Sequence, residues 1–296
     1  MNFLQPAGLL LVSTMLGGAC TVTLDSQSQM AREEKRFTFT GTPTLHLTTF
    51  DGSIEIHSWD RPEVLVEIEK RGPSREAVEA LQVRTSQNGN TIELEVTRPQ
   101  GQSLTGFGFH ASASAKLIVS VPRQTNIRAR SGDGAIHIAR VNGRVELHTG
   151  DGSIRGEDVS GDLTLSTGDG SITVEGAEGR LALETGDGSV NVTGKLGGVR
   201  LHTGDGAIVY RSQPGGLMVE DWDISTGDGS VTLYVAQDFG AELDAHTGDG
   251  TIRNDLKVED AGSDEPDRRT LKGRIGGGGR QLRIRTGDGA IRLRAL

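Results

Sequence analysis

A Gly-Asp-Gly tripeptide that returns at a fixed spacing constrains this chain more than any other feature. Asp-Gly occurs nine times, at Asp51, Asp133, Asp151, Asp169, Asp187, Asp205, Asp228, Asp249 and Asp288. From Asp133 to Asp205 the spacing is 18 residues four times in succession, and it is then 23, 21 and 39 residues. Self-similarity at a fixed period indicates a repeat architecture, here with insertions between some copies.

Each copy also carries the alternation of two short strands. With Asp as position zero, positions −6, −4, +3 and +5 are apolar in 34 of 36 cases, the exceptions being Gly156 and Asn254. The intervening positions −5 and +4 are polar in 16 of 18 cases, the exceptions being Ala182 and Val209. A period of two predicts two strands per copy, each with one buried face.

A single copy cannot fold alone. Its four core side chains contribute about 1.5 to 3 kcal/mol each, whereas ordering each residue costs roughly 1 to 2 kcal/mol. Stacking the copies would join their apolar faces into one core. We therefore predict an all-β fold over residues 37–296, a parallel β-solenoid of about ten coils with 18-residue repeats. The 39-residue spacing would hold one degenerate coil and a loop.

Two segments interrupt the repeat. Residues 57–120 predict an irregular β-rich insertion near the N-terminus, with strands at Val64–Glu69 and Thr91–Val96 and a short helix capped by Ser74. Residues 255–270 mix Asp, Glu, Pro and Arg, which is typical of a solvated charged loop.

A separate unit precedes the repeat. The apolar run Leu9–Leu16 leads through small residues to Cys20, the only cysteine of the chain. This pattern resembles an export signal that ends in the lipobox of bacterial lipoproteins. Residues 1–20 are thus a predicted signal peptide, Cys20 a lipidation site and residues 21–36 a tether. Ordinary cleaved secretion and a retained segment stay open, because no Lys or Arg precedes the run.

Charge and hydropathy restrict the partners. A net charge of −9 argues against a surface that follows nucleic-acid phosphates. Beyond the signal, no apolar stretch is long enough to span a bilayer. We expect an exported protein of the cell envelope, an outer-membrane lipoprotein that faces the periplasm or the cell surface and contacts the membrane through its lipid anchor.

The repeated carboxylates raise the question of calcium, because Gly-Asp-rich β-rolls of secreted toxins bind Ca²⁺ between coils. Those proteins place several ligands in every turn, whereas this chain has one Asp per 18 residues. We predict that the nine turn aspartates are structural corners, where Asp caps its own turn and Gly supplies a positive φ. No metal or cofactor is expected, and weak calcium binding is the alternative.

Other reactive side chains are scattered. His148, His202 and His246 share position −3 of their copies, but predicted separations of about 14 and 10 Å are too long for one metal ion. The main enzyme alternative is a pectate-lyase-like β-helix. The loops at 101–115 and 255–270 contain no recognisable acid/base pair or catalytic triad, so we predict that the chain is not an enzyme.

Three sequence features resemble a bacterial family, domain of unknown function 4097, which is labelled putative adhesin. They are the Thr-Gly-Asp-Gly-Ser-Ile repeats, the segment 117–122 (Leu-Ile-Val-Ser-Val-Pro) and the segment 282–289 (Leu-Arg-Ile-Arg-Thr-Gly-Asp-Gly). The resemblance implies an envelope location and a non-catalytic role, without agreed site residues. The expected function is that of an adhesin or scaffold that presents a repetitive polar surface to an envelope protein or polysaccharide. A polysaccharide-active enzyme is the alternative.

Overall fold

The computed structural model describes residues 29–98, 113–259 and 268–296. The predicted signal at 1–20 with its lipidation site Cys20 lies outside these residues. So do the first part of the predicted tether and most of the loop at 101–115.

The described chain forms strands and one short helix. The first eleven strands are β1 (Gln29–Thr38), β2 (Thr44–Thr49), β3 (Ile54–Trp59), β4 (Glu63–Gly72), β5 (Gln82–Asn88), β6 (Thr91–Thr97), β7 (Ser114–Pro122), β8 (Asn126–Ser131), β9 (Ile136–Ala139), β10 (Asn142–Thr149) and β11 (Ile154–Glu157). The next are β12 (Ser160–Thr167), β13 (Ile172–Thr185), β14 (Val190–Thr203), β15 (Ile208–Ser212), β16 (Trp222–Thr226), β17 (Val231–Val235), β18 (Ala241–Thr247), β19 (Ile252–Asn254), β20 (Val258–Glu259), β21 (Thr270–Ile275), β22 (Gln281–Thr286) and β23 (Ile291–Ala295). Helix α1 (Arg75–Glu79) follows β4.

Two parallel ladders build the interior of the stack. The front ladder contains the strands that precede each Gly-Asp-Gly turn, and the back ladder contains the strands that follow it. In the regular region, equivalent residues 18 positions apart lie side by side, such as Leu147 opposite Leu165 and Leu165 opposite Leu183. Strands β13 and β14 continue around the second turn and belong to both ladders. The predictions of an all-β fold and of copies stacked in an 18-residue register are confirmed.

The predicted core positions form one continuous cluster between the ladders. Every apolar side chain at these positions is buried except Ile252, which is half-buried in the short strand β19. Trp222 packs between Tyr210 and Phe239, with ring centroids 5.0 and 5.5 Å away. Burial raises the pKa of Tyr210 far above its ordinary value. Tyr210 and Trp222 are therefore core residues.

The spatial order of the copies departs from the chain order at both ends. Strand β22 pairs with β16 on one side and with β18 on the other, and β23 likewise lies between β17 and β19. The copy of Asp288, last in the chain, is thus inserted between those of Asp228 and Asp249. At the other end β2 lies between β6 and β8, so the coil formed by β6 and β7 stacks outside the first copy.

Antiparallel strands close both ends of the stack, so the sheet is mixed and a purely parallel solenoid is wrong. Strands β4 and β1 extend the back ladder beyond β7, and β5 extends the front ladder beyond β6. At the opposite end β21 pairs antiparallel with β18 and with β20. The edge strand β1 is rich in charged residues, which disfavour pairing with another chain. Its Glu33 accepts from the buried ammonium of Lys70 in β4 at 2.5 Å, and that ammonium also donates to the carbonyl of Leu81 at 2.9 Å.

The segment boundaries need three corrections. Residues 29–36 of the predicted tether form β1, because they pair with β4 along its whole length. The charged segment 255–270 contains β20 and the start of β21, with 260–267 outside the described residues. No degenerate coil is visible in the described part of the 39-residue spacing, since β21 runs antiparallel to the stack. In the insertion at 57–120, the predicted strands and the helix cap at Ser74 are present.

Candidate functional site

The nine Asp-Gly turns, all Gly-Asp-Gly except Phe50-Asp51-Gly52, stack along one edge of the molecule. Asp51 is half-buried and the other eight carboxylates are exposed. Asp51 lies 3.9 Å from the guanidinium of Arg98, and Asp249 lies 3.8 Å from that of Arg269. Within the described part of the chain, the other seven carboxylates accept no hydrogen bond and form no ion pair. The carboxylates are therefore solvated, and the prediction that each Asp caps its own turn is wrong.

Buried hydroxyl groups stabilise the turns instead: all nine donate to a carbonyl of the neighbouring coil, and five also accept from an N–H of their own turn. They lie two residues before each aspartate, at Thr49, Ser131, Thr149, Thr167, Thr185, Thr203, Thr226, Thr247 and Thr286. The hydroxyl of Thr203 accepts from the N–H of Gly206 at 3.2 Å and donates to the carbonyl of Gly188 on the neighbouring coil at 3.0 Å. The sequence signal for these groups is a Ser or Thr two residues before the aspartate in all nine copies.

Close approach between coils explains the turn glycines. Among the glycines of the turns, only Gly52 has a positive φ, of 139°. A Cβ on Gly170 would lie 2.1 Å from the carbonyl oxygen of Gly152, and one on Gly188 would lie 2.0 Å from that of Gly170. The prediction that these glycines supply a positive φ is wrong for the other turns. They are needed because a side chain would collide with the next coil.

The buried hydroxyls should contribute measurably to stability. Replacing Thr185 with valine removes the hydroxyl whose single O–H is shared between the carbonyls of Gly170 and Gly168, at 2.9 and 3.3 Å, without changing the side-chain volume much. We expect a loss of about 1 to 3 kcal/mol in the free energy of unfolding, measured by urea denaturation. Thr193→Val is the matched control, because Thr193 points outward on the back ladder, and it should change stability by less than about 0.5 kcal/mol. Equal effects would contradict a stabilising role of the inter-coil hydrogen bonds.

Chelation tests the alternative role of the turn aspartates. Among the described residues, no group of three or more His, Cys, Asp or Glu side chains comes close enough to hold a metal ion. We expect the thermal midpoint of the chain to be the same with and without EDTA. A decrease on chelation that Ca²⁺ specifically reverses would make the turn edge a cation site.

The three histidines at position −3 are well separated. The inserted copy of Asp288 places His246 three coils from His202, rather than the two expected from the chain order. The ring nitrogens of His148 and His202 hydrogen-bond to Ser166 and Ser225 on the adjacent strand, at 2.8 and 3.0 Å. Each histidine is thus part of a cross-strand polar pair on the surface.

A continuous groove crosses the outer surface of the front ladder. Two depressions of about 510 and 390 Å³ follow one another along the stack, and a third of about 520 Å³ lies beside the second, next to the second turns. The first two share Arg144, Glu146 and Asp162, and the last two share Asp162, Arg180 and Glu220. We call these connected depressions the groove. It runs from the coil of Asp51 past that of Asp205 and crosses the strands instead of following them.

Small and long side chains together shape the groove. Thr164 and Ala182 lie side by side on neighbouring coils and form a low floor. On the next coil Arg200 lies opposite Ala182, and Gly198 lies opposite Arg180. The guanidinium of Arg180 bridges two carboxylates, donating to Glu220 at 2.5 Å and to Asp162 at 3.2 Å. These hydrogen bonds raise the pKa of Arg180. Ala182 had appeared in the sequence only as an exception to the polar pattern.

The insertion before the copy of Asp228 forms one end of the groove. This insertion loop, residues 213–221, accounts for the 23-residue spacing and projects beside Arg180 and Lys195. Its Leu217 and Val219 are 66% and 63% exposed, among the most exposed large apolar side chains of the described chain. The two loops expected to carry function were those at 101–115 and 255–270. The insertion loop was visible only as an irregular spacing.

Stacked coils with one register, hydroxyl-stabilised turns and a surface groove define a solenoid-like repeat protein. The chain belongs to the Toastrack family, domain of unknown function 4097, whose pattern matches residues 43–294. No curated protein matches the chain. The described residues include no helix long and apolar enough to cross a membrane.

Solved structures resemble the chain at low identity. A putative adhesin from Bacteroides fragilis is 12% identical, with a TM-score of 0.46 over 90% of this chain and 97% of that one. A putative lipid binding protein from Parabacteroides distasonis is 11% identical, with a TM-score of 0.49 over 88% and 96%. A putative adhesin from Parabacteroides merdae is 8% identical, with a TM-score of 0.43 over 88% and 95%.

Proposed function

We propose that the chain is a non-enzymatic adhesin or scaffold of the bacterial cell envelope, built as a β-solenoid of about ten coils. In this proposal it presents the groove to a polysaccharide or to another envelope protein. The groove is the observation that carries the proposal, because it crosses several coils whose backbones are paired on both sides. A surface fixed in this way can bind an extended partner without rearranging.

The location in the envelope is proposed from the N-terminal signal. Lipidation of Cys20 would anchor the chain to the outer membrane, facing the periplasm or the cell surface. Because β1 begins at Gln29, residues 21–28 would separate the lipid anchor from the first strand. Cys20→Ala should move the chain from the membrane fraction to the soluble fraction, and unchanged fractionation would contradict the anchor.

Gene deletion with complementation tests the proposed function. We expect the deletion strain to lose adhesion, envelope-stress tolerance or protein contacts that cross-linking detects in intact cells, and the wild-type chain should restore them. Ala182→Glu places a charge on the floor of the groove and should restore them poorly. If the deletion leaves all three properties unchanged, the proposal fails. Turnover of any glycan by the purified chain would favour a polysaccharide-active enzyme instead.

A further inference from the structure

Side chains of both charges line the groove, and its carboxylates already have partners. Its four carboxylates all have partners: Glu146 with Arg128, Asp162 with Arg180, Glu220 with Arg180, and Asp221 with the backbone N–H of Gln281. Arg144 and Arg200 line the same groove and are exposed. In the described part of the chain, neither guanidinium has an ion-pair or hydrogen-bond partner. The groove therefore offers two free charged donor groups to a ligand.

The two unpaired guanidiniums are spaced along the stack. Arg144 lies on the coil of Asp151 and Arg200 on that of Asp205, three coil steps apart, or about 14 Å at the usual strand spacing. Between them lies the low floor at Thr164 and Ala182. A ligand that satisfies both guanidiniums must be extended and must carry anionic groups at intervals along its length.

We propose that the groove binds a linear acidic polysaccharide through carboxylates that pair with Arg144 and Arg200. This inference rests on the proposed function and names the ligand class for the same surface. Guanidinium groups suit carboxylates because they can donate two parallel hydrogen bonds to one carboxylate. The fixed spacing of the coils complements a polymer whose charges repeat along an extended chain.

The backbone pairing of the front ladder favours a glycan over a peptide strand. Strand β12 is paired with β10 and β13, and β14 is paired with β13 and β16, so these strands offer no free edge under the groove. A peptide lying across them could not add to the sheet, which is the way in which extended peptides usually gain affinity on β proteins. A polyanionic glycan needs only the side chains that line the groove.

Binding of hexagalacturonate to the purified full chain in detergent tests the inference. We expect saturable binding by fluorescence anisotropy that weakens as salt is added, and no binding of the neutral maltohexaose. The double variant Arg144→Gln/Arg200→Gln should weaken binding about tenfold, as expected for two exposed ion pairs. Ala182→Glu should weaken it at least as much, because it adds a negative charge to the floor.

A matched control separates the groove from net charge. Arg253 and Arg292 lie on the outer surface of the back ladder, on the opposite face, and Arg253→Gln/Arg292→Gln removes the same charge there. The control should bind within about twofold of the wild type. Equal weakening by the two double variants, or tighter binding of maltohexaose, would overturn the inference.

Retention of the chain on purified envelope fragments distinguishes this inference from the proposed function. If the chain binds the fragments but not hexagalacturonate, the acidic-glycan inference fails and the adhesin or scaffold function stands. If it binds neither, and deletion has no effect on cells, both fail.

Discussion

Replacing Gly170 with alanine should destabilise the fold by about 3 kcal/mol, measured by urea denaturation. The added Cβ would lie 2.1 Å from the carbonyl oxygen of Gly152 and 2.9 Å from the hydroxyl of Thr167. Neither neighbour can move freely: Gly152 belongs to the stacked turn edge, and the hydroxyl of Thr167 donates to the carbonyl of Gly152 at 2.8 Å. The strain must therefore spread into adjacent coils, which are closely packed.

Gly277→Ala is the matched control for this substitution. Gly277 has no heavy atom within 4 Å of an added Cβ and does not adopt a positive φ. Its replacement should leave the stability unchanged or raise it by up to about 1 kcal/mol, because alanine restricts the unfolded chain. Similar effects at the two positions would show that the coils do not approach as closely as described.

A charged side chain buried in the copy of Asp288 should destabilise the two copies on either side of it. Ile284 is fully buried in β22, where it lies opposite Ile224 of β16 and Ala245 of β18. Ile284→Asp buries a carboxylate among apolar groups and should cost about 3 to 5 kcal/mol. Because stability in a solenoid is carried mainly between neighbouring coils, we expect hydrogen exchange to accelerate in β16 and β18, while β10 and β12 stay protected.

The control for this prediction introduces the same side chain, aspartate, at an outward position of the same copy. Arg292 points outward from β23, so Arg292→Asp introduces a carboxylate into solvent and should leave the exchange pattern nearly unchanged. If Ile284→Asp accelerates exchange in β22 while β16 and β18 stay protected, then the copy of Asp288 does not lie between them.

The interior of the fold was predictable because each copy carries its own pattern. Alternation around each Asp identified the inward residues, and 18-residue spacing fixed the register, so Leu165 and Leu183 could be placed side by side in advance. The order of the end copies was not predictable. Copies with one register can stack in any order without changing a single inward residue, so local pattern carries no information about which neighbours meet. The connections between the copies decide their stacking order.

The antiparallel ends and the groove were not predictable either, because both depend on which coils become neighbours in space. Strand β21 closes the stack because the chain then turns back and inserts β22 and β23 between earlier copies. No local motif predicts this turn. The groove requires Ala182 and Gly198 to lie beside Arg180 and Arg200, a relation between different coils. The turn aspartates attracted attention through repetition, yet the buried threonines carry the hydrogen bonds because they point inward and the carboxylates point outward.

Disulfide trapping tests the order of the coils most directly. In a full chain with Cys20→Ser, the pair Asp223→Cys/Arg283→Cys joins directly opposite residues of β16 and β22. Strands about 4.8 Å apart fall within the Cα separation that a disulfide can bridge. We predict that this pair oxidises to an intramolecular disulfide, whereas Asp223→Cys/Asp244→Cys, separated by the inserted strand, does not. A disulfide in the second pair but not in the first would contradict the insertion of the last copy and restore the chain order.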